Sequence, residues 1–149
     1  MPTPGYYQLL LRLAADRRIQ VGKLGRFDFP AGYYVYTGSA RGGLKGRLAR
    51  HQRRQKRFHW HIDYLLRYAK IVRIRTFPEG KETECKLNAR LFRRPGAQCV
   101  ADGFGSSDCR CRTHLAFFRR EDDLSFFAAN DSFSPSGQRE QRRTVAQSQ

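Results

Sequence analysis

Two tyrosine-bearing tripeptides, Gly5-Tyr6-Tyr7 and Tyr36-Thr37-Gly38, precede a basic segment in which Arg47 and His51 stand four residues apart. A lone acid, Glu84, follows further on. Gathered in one place, these groups have the chemistry to hold and hydrolyse a phosphodiester. A guanidinium grips phosphate oxygens through two parallel hydrogen bonds, and a carboxylate holds a hard cation. Phenols and an imidazole can orient a water molecule and take its proton. Neither tripeptide carries this reading alone; their order does.

Helical geometry brings the basic pair inward. At about 100° per residue, Arg47 and His51 fall roughly 60° and 20° from Leu44, beside the Leu44/Leu48 stripe that must face a core. Arg53 points the other way. Arg47 is therefore read as an inner phosphate ligand. Arg50, Arg53, Arg54, Lys56 and Arg57 read as outer, non-specific contacts to a nucleic-acid backbone, with Arg41, Lys45 and His59 beside them. Glu84 shares a face with Leu87 and Leu91, and Asn88 sits next to them. An acid aligned with leucines is expensive to desolvate unless it gains a cation. Complementing the helix dipole is the bland alternative, but Glu79 and Glu82 could do that from more exposed positions. A single carboxylate suits magnesium or manganese, which keep much of their water.

The elements that must position these groups follow from periodicity. Residues 5–13 alternate as a strand with Tyr7, Leu9, Leu11 and Leu13 on one face, and 32–38 is a second strand. The stretch 14–31 reads as a long connection with one short apolar piece at Ile19–Val21. Helices are predicted over 44–58, 59–69 and 83–94, and a strand over 71–77. Final strands are predicted at 98–104 and 114–119. Within 59–69, His61 and Asp63 are read as fixing helix packing through hydrogen bonds. Beyond about residue 131 the chain is Ser/Gln/Arg-rich and reads as a disordered tail, leaving one domain over 1–130.

Charge narrows the partner. With 29 Lys+Arg against 13 Asp+Glu the net charge is +16, which points to a polyanion rather than to any fold. Nucleic acid is favoured over a membrane, because no apolar run approaches the roughly 18 residues a spanning helix needs. No basic-then-apolar leader opens the chain, so a cytoplasmic location with reduced thiols is expected. Among the four cysteines, Cys109, Cys111 and His114 form a C-x-C-x-x-H run. That spacing matches none of the common zinc-finger frameworks. Ordinary loop packing is the preferred reading, and a structural zinc ion completed by Cys85 or Cys99 is the alternative.

The chain resembles the GIY-YIG endonuclease superfamily, and within it a small prokaryotic family. The segments that carry the likeness are Gly32–Ala40 (GYYVYTGSA), Arg50-His51, His59–Leu66 (HWHIDYLL) and Phe104–Leu115 (FGSSDCRCRTHL). It covers roughly residues 5–119. The resemblance implies a small α+β domain, a central mostly antiparallel sheet flanked by helices. It implies a metal-dependent endonuclease, with DNA favoured over RNA as substrate. Tyr7, with His51, would orient or deprotonate the attacking water, and Tyr36 would bind a phosphate oxygen. Arg47 would stabilise the accumulating charge and Glu84 would hold the ion. Thr37 replaces the Ile of many relatives, an extra Gly precedes the arginine, and the late Asn of many superfamily nucleases has no clear match. A non-catalytic nucleic-acid-binding domain on the same scaffold is the alternative. A zinc-stabilised interaction module is the third.

Overall fold

The computed structural model describes residues 3–80 and 83–127; the polar tail from 131 and Glu82 lie outside them. Nine-residue strands β1 (Gly5–Leu13) and β4 (Gly32–Ala40) form the centre of a sheet, paired antiparallel from Gly5↔Ala40 to Leu13↔Gly32. Strands β5 (Lys70–Pro78) and β6 (Leu115–Phe118) flank them in the order β5-β1-β4-β6, all antiparallel. A separate hairpin, β2 (Arg17–Val21) with β3 (Gly25–Phe29), branches from the end of β1. The α+β architecture is as expected.

Period-two alternation divides β1 and β4 between two cores. Tyr7, Leu9, Leu11 and Leu13 face one side with Tyr34, Tyr36, Leu48, Ile62, Leu65 and Ile74. There they meet helices α1 (Leu44–Gln52) and α2 (His61–Leu66). Leu10 and Val35 face the other side, against Leu91 of helix α3 (Glu84–Phe92) and Leu124 of a short 3-10 helix. The helices thus cover both faces; Tyr7, Tyr34 and Tyr36 face α1, while Tyr33 packs on the α3 side.

Four boundaries differ from the sequence reading. The connection 14–31 is mostly the β2–β3 hairpin, which buries Ile19, Val21 and Phe29 and pairs Arg18 with Asp28 outside. Helix α1 stops at Gln52 rather than 58, where Arg53 turns to extended backbone. The Lys56 ammonium caps it by donating to the carbonyls of Arg50 and His51 at 3.1 and 2.9 Å. Helix α2 begins at His61 because Asp63 Oδ2 accepts from the backbone N–H groups of His59 and Trp60 at 2.7 and 2.9 Å. Finally, 98–104 is an irregular loop joined to β6 by one bridge, Gln98↔Phe117. Its turns at Gly103 and Gly105 bury Ala101 and Phe104 instead of extending a strand.

Candidate active site

The β1–β4 register sets Tyr7 opposite Gly38, with Tyr36 paired to Leu9 two residues along. Gly38 is required by close approach: a Cβ there would lie 2.6 Å from the Tyr7 ring. The two phenol rings come within 6.2 Å, centroid to centroid. From α1, His51 closes the group. Its Nε2 lies 2.7 Å from the Tyr7 hydroxyl, and its ring is 6.4 Å from that of Tyr36. Tyr7 and His51 are almost wholly buried, and His51 Nδ1 has no hydrogen-bond partner among the described residues.

Burial dominates the proton affinities here. It drives the phenols of Tyr7 and Tyr36 well above their ordinary range, with Glu84's charge adding to the rise and Arg47 pulling back. For His51, burial lowers the pKa to about 3, reinforced by Lys56, Arg47 and Arg50 and opposed by Asp63. At neutral pH the dyad is therefore a neutral phenol and a neutral imidazole. In the unfolded chain His51 takes its proton near pH ~6.5; in the fold it stays neutral down to about pH 3. The unfolded state binds more protons between those values, so stability falls as pH drops through the window. The limiting slope from this group is about 1.4 kcal/mol per pH unit. His51→Gln is expected to flatten that part of the profile in urea unfolding, and parallel profiles would reject the assignment.

Arg47 approaches the same place from the preceding turn of α1. Its Nη1 donates to the Ser39 carbonyl at 2.6 Å, and its guanidinium lies 4.3 Å above the Trp60 ring. Arg50 takes the same indole at 4.4 Å. Arg50 departs from the outer role read for it: it grips buried Asp63 at 2.9 and 3.0 Å, so its charge is held within the fold. Burial would raise the Asp63 pKa, but Arg50 and two backbone N–H groups outweigh it and hold the carboxyl below its usual range. Asp63 and His61 act in packing as expected, His61 Nδ1 accepting from Gly105 N–H at 2.8 Å. Lys56 is also tied inward. Arg41, Lys45, Arg53, Arg54, Arg57 and His59 are exposed.

Glu84 opens α3, its side chain only 26% exposed, and its Oε2 lies 2.9 Å from His114 Nδ1. Its charge adds to the rise in the proton affinities of Tyr7 and Tyr36, and its contact with His114 keeps it from turning fully out to solvent. His114 Nδ1 also faces the Thr37 carbonyl at 3.2 Å. Its other nitrogen, Nε2, lies 3.4 Å from Cys109 Sγ and 3.8 Å from Cys85 Sγ. With Cys111 these residues place four donor atoms within 4.8 Å of one another, a cluster that could bind a metal. The C-x-C-x-x-H run thus packs on Cys85 and gathers a set of donors able to hold a metal, the geometry that the zinc alternative requires. The fourth member is Cys85; Cys99 instead donates to Asp102 at 3.3 Å.

A family model, the domain of unknown function DUF123, matches residues 6–132. The chain belongs to that family. No curated protein and no solved structure matches it. The DUF123 match spans every group described above, from Tyr7 to His114. Sequence reasoning missed the Trp60 platform under Arg47 and the Glu84–His114 pair. The indole stands just before the Ile62/Leu65/Leu66 stripe and reads as one more core residue, while residues 84 and 114 are linked by no local pattern.

No helix among the described residues is long and apolar enough to cross a membrane.

Proposed function

We propose that this protein is a divalent-metal-dependent endonuclease of the GIY-YIG type, hydrolysing phosphodiester bonds, with DNA its substrate. The supporting observation is the convergence of Tyr7, Tyr36, Arg47 and His51 at one end of the sheet, with the Glu84 charge acting on both phenols. A protein that only bound nucleic acid would have no need of a partly buried acid among these cations.

The residues suit one hard ion. Glu84 meets His114 through Oε2, which leaves Oε1 to face a cation. One carboxylate with water fits magnesium or manganese better than a caged metal does. Such an ion, when bound, would offset charge on the phosphate and on the leaving oxygen. The chain's own groups do the rest. Tyr7, its hydroxyl held by His51 Nε2, orients the water for in-line attack as a neutral phenol. The water's proton leaves to bulk solvent, since His51 with a pKa of about 3 would not keep it. This route needs no phenolate, in keeping with the raised Tyr7 pKa. Tyr36 donates to a phosphate oxygen. Arg47 keeps unused N–H donors for the charge that grows in the transition state.

Exposed Arg41, Lys45, Arg53, Arg54 and Arg57 flank the site and would grip the backbone. A cleft of about 560 Å³ beside His51, lined by Arg53, Arg54, Arg67, Lys70, Phe58 and Tyr68, offers both charge and aromatic surface to a strand. The soft cluster of Cys85, Cys109, Cys111 and His114 suits zinc and does not itself touch the reacting phosphate.

The test is cleavage of branched, flapped, single-stranded and duplex DNA, with magnesium, manganese or chelator. Cleavage of at least one substrate, lost with chelator, is expected. Affinity should fall steeply with salt, because each neutralised phosphate releases counterions. Intact, salt-sensitive binding with no cleavage of any substrate would leave the second reading, a nucleic-acid-binding domain. The observation that favours that reading is that Glu84 already has a partner in His114.

A further inference from the structure

We propose that Cys85, Cys109, Cys111 and His114 bind one zinc ion, and that His114 carries the order of that centre to Glu84. The second half rests on the nuclease reading; the first does not.

Distances support the site. A tetrahedral zinc ion with Zn–S about 2.3 Å and Zn–N about 2.05 Å sets sulfur and nitrogen about 3.5 Å apart, and two sulfurs about 3.8 Å apart. His114 Nε2 stands 3.4 and 3.8 Å from the sulfurs of Cys109 and Cys85, and all four donors fall within 4.8 Å of one another. The ligands are already gathered, and small shifts would close them on an ion. Three thiolates and an imidazole select a soft or borderline metal over magnesium or calcium.

The loop gives an independent reason. From Gly105 to Arg112 the sequence is GSSDCRCR, without one large apolar side chain. It has no hydrophobic means of lying against α3, yet Cys109 and Cys111 are brought to Cys85 in the first turn of that helix. A metal crosslink would supply the missing attachment and join α3 to β6.

The imidazole is used at both nitrogens. With zinc on Nε2, the proton resides on Nδ1, which faces Glu84 Oε2 at 2.9 Å and the Thr37 carbonyl at 3.2 Å. A histidine ligand whose other N–H donates to a carboxylate is held in one tautomer and one orientation. The restraint acts in reverse as well. A carboxylate bonded to a metal-anchored imidazole cannot swing freely, so Glu84 would keep its second oxygen aimed at the phosphate site. His114 is thus a positioning residue.

The whole chain, purified without chelator, is expected to contain one zinc ion, and cobalt exchanged into it should show the intense thiolate-to-metal band of a tetrahedral sulfur-rich site. Cys109→Ser and Cys111→Ser should lose the metal, while Cys99→Ser keeps it. Wild-type protein with neither zinc nor the cobalt–thiolate band overturns the site, whatever the variants do. For the link, Glu84→Gln in the cobalt protein should shift the ligand-field bands, whereas Glu79→Gln should not. His114→Cys keeps four ligands but removes the N–H. It is expected to retain zinc and DNA affinity while needing several-fold more magnesium for half-maximal cleavage. Unmoved cobalt bands in Glu84→Gln, or an unchanged magnesium requirement in His114→Cys, overturns the link. Zinc present with no nuclease activity would sink the proposed function and leave the zinc site standing.

Discussion

Glu84→Gln is expected to lower DNA cleavage by about 10³-fold or more, because metal charge stabilisation is worth several kcal/mol and each ~1.4 kcal/mol is tenfold. The amide keeps the shape of the side chain and an oxygen able to accept from His114 Nδ1, now 2.9 Å from Oε2. What it removes is the negative charge. Low-salt DNA affinity should hold or rise slightly, since that term belongs to exposed cations and the repulsive acid has gone. Single-turnover cleavage beside equilibrium binding separates the two effects. Full activity in this variant would strike Glu84 from the reaction and leave it as a partner of His114 alone.

Arg47→Ala is expected to reduce turnover by about 10³-fold, the lower end of what transition-state arginines provide in phosphoryl transfer. Its position argues for that role over simple grip. The guanidinium is half-buried, fixed by the Ser39 carbonyl at 2.6 Å and stacked on Trp60, and close enough to act on the Tyr7 phenol. Arg47→Lys should recover little, because an ammonium has neither the planar fork nor the stacking face. By comparison, Arg53→Ala, at an exposed position, should weaken binding and reduce its salt dependence without a large change in single-turnover rate. If Arg47→Ala and Arg53→Ala behave alike, Arg47 is one more backbone contact.

Much of this arrangement could be read before any coordinates. Period two in GYYQLLLRL put Tyr7 with the leucines, and helical spacing put His51 beside Leu48; both groups are buried where those periods send them. What local pattern could not show were contacts between distant segments. Residue 50 looks like its basic neighbours until Asp63, thirteen places on, takes it up. Cys85 and His114 lie in a helix and at a strand entry, and only the sheet edge brings them together. The end of α1 was missed for another reason. No glycine or proline marks Gln52, and the stop comes from a lysine four residues on whose ammonium folds back. The β2–β3 hairpin was not read from the sequence although RRIQV and RFDF alternate, because their polar outward faces gave 14–31 the look of a connection.

Trp60 lies under the guanidiniums of Arg47 and Arg50, and the chain contains no second tryptophan. Indole emission responds to the charges around it. The molecule therefore has its own optical gauge beside the reaction centre, and the arrival of a polyanion at Arg47 can be followed by intrinsic fluorescence without attaching any dye.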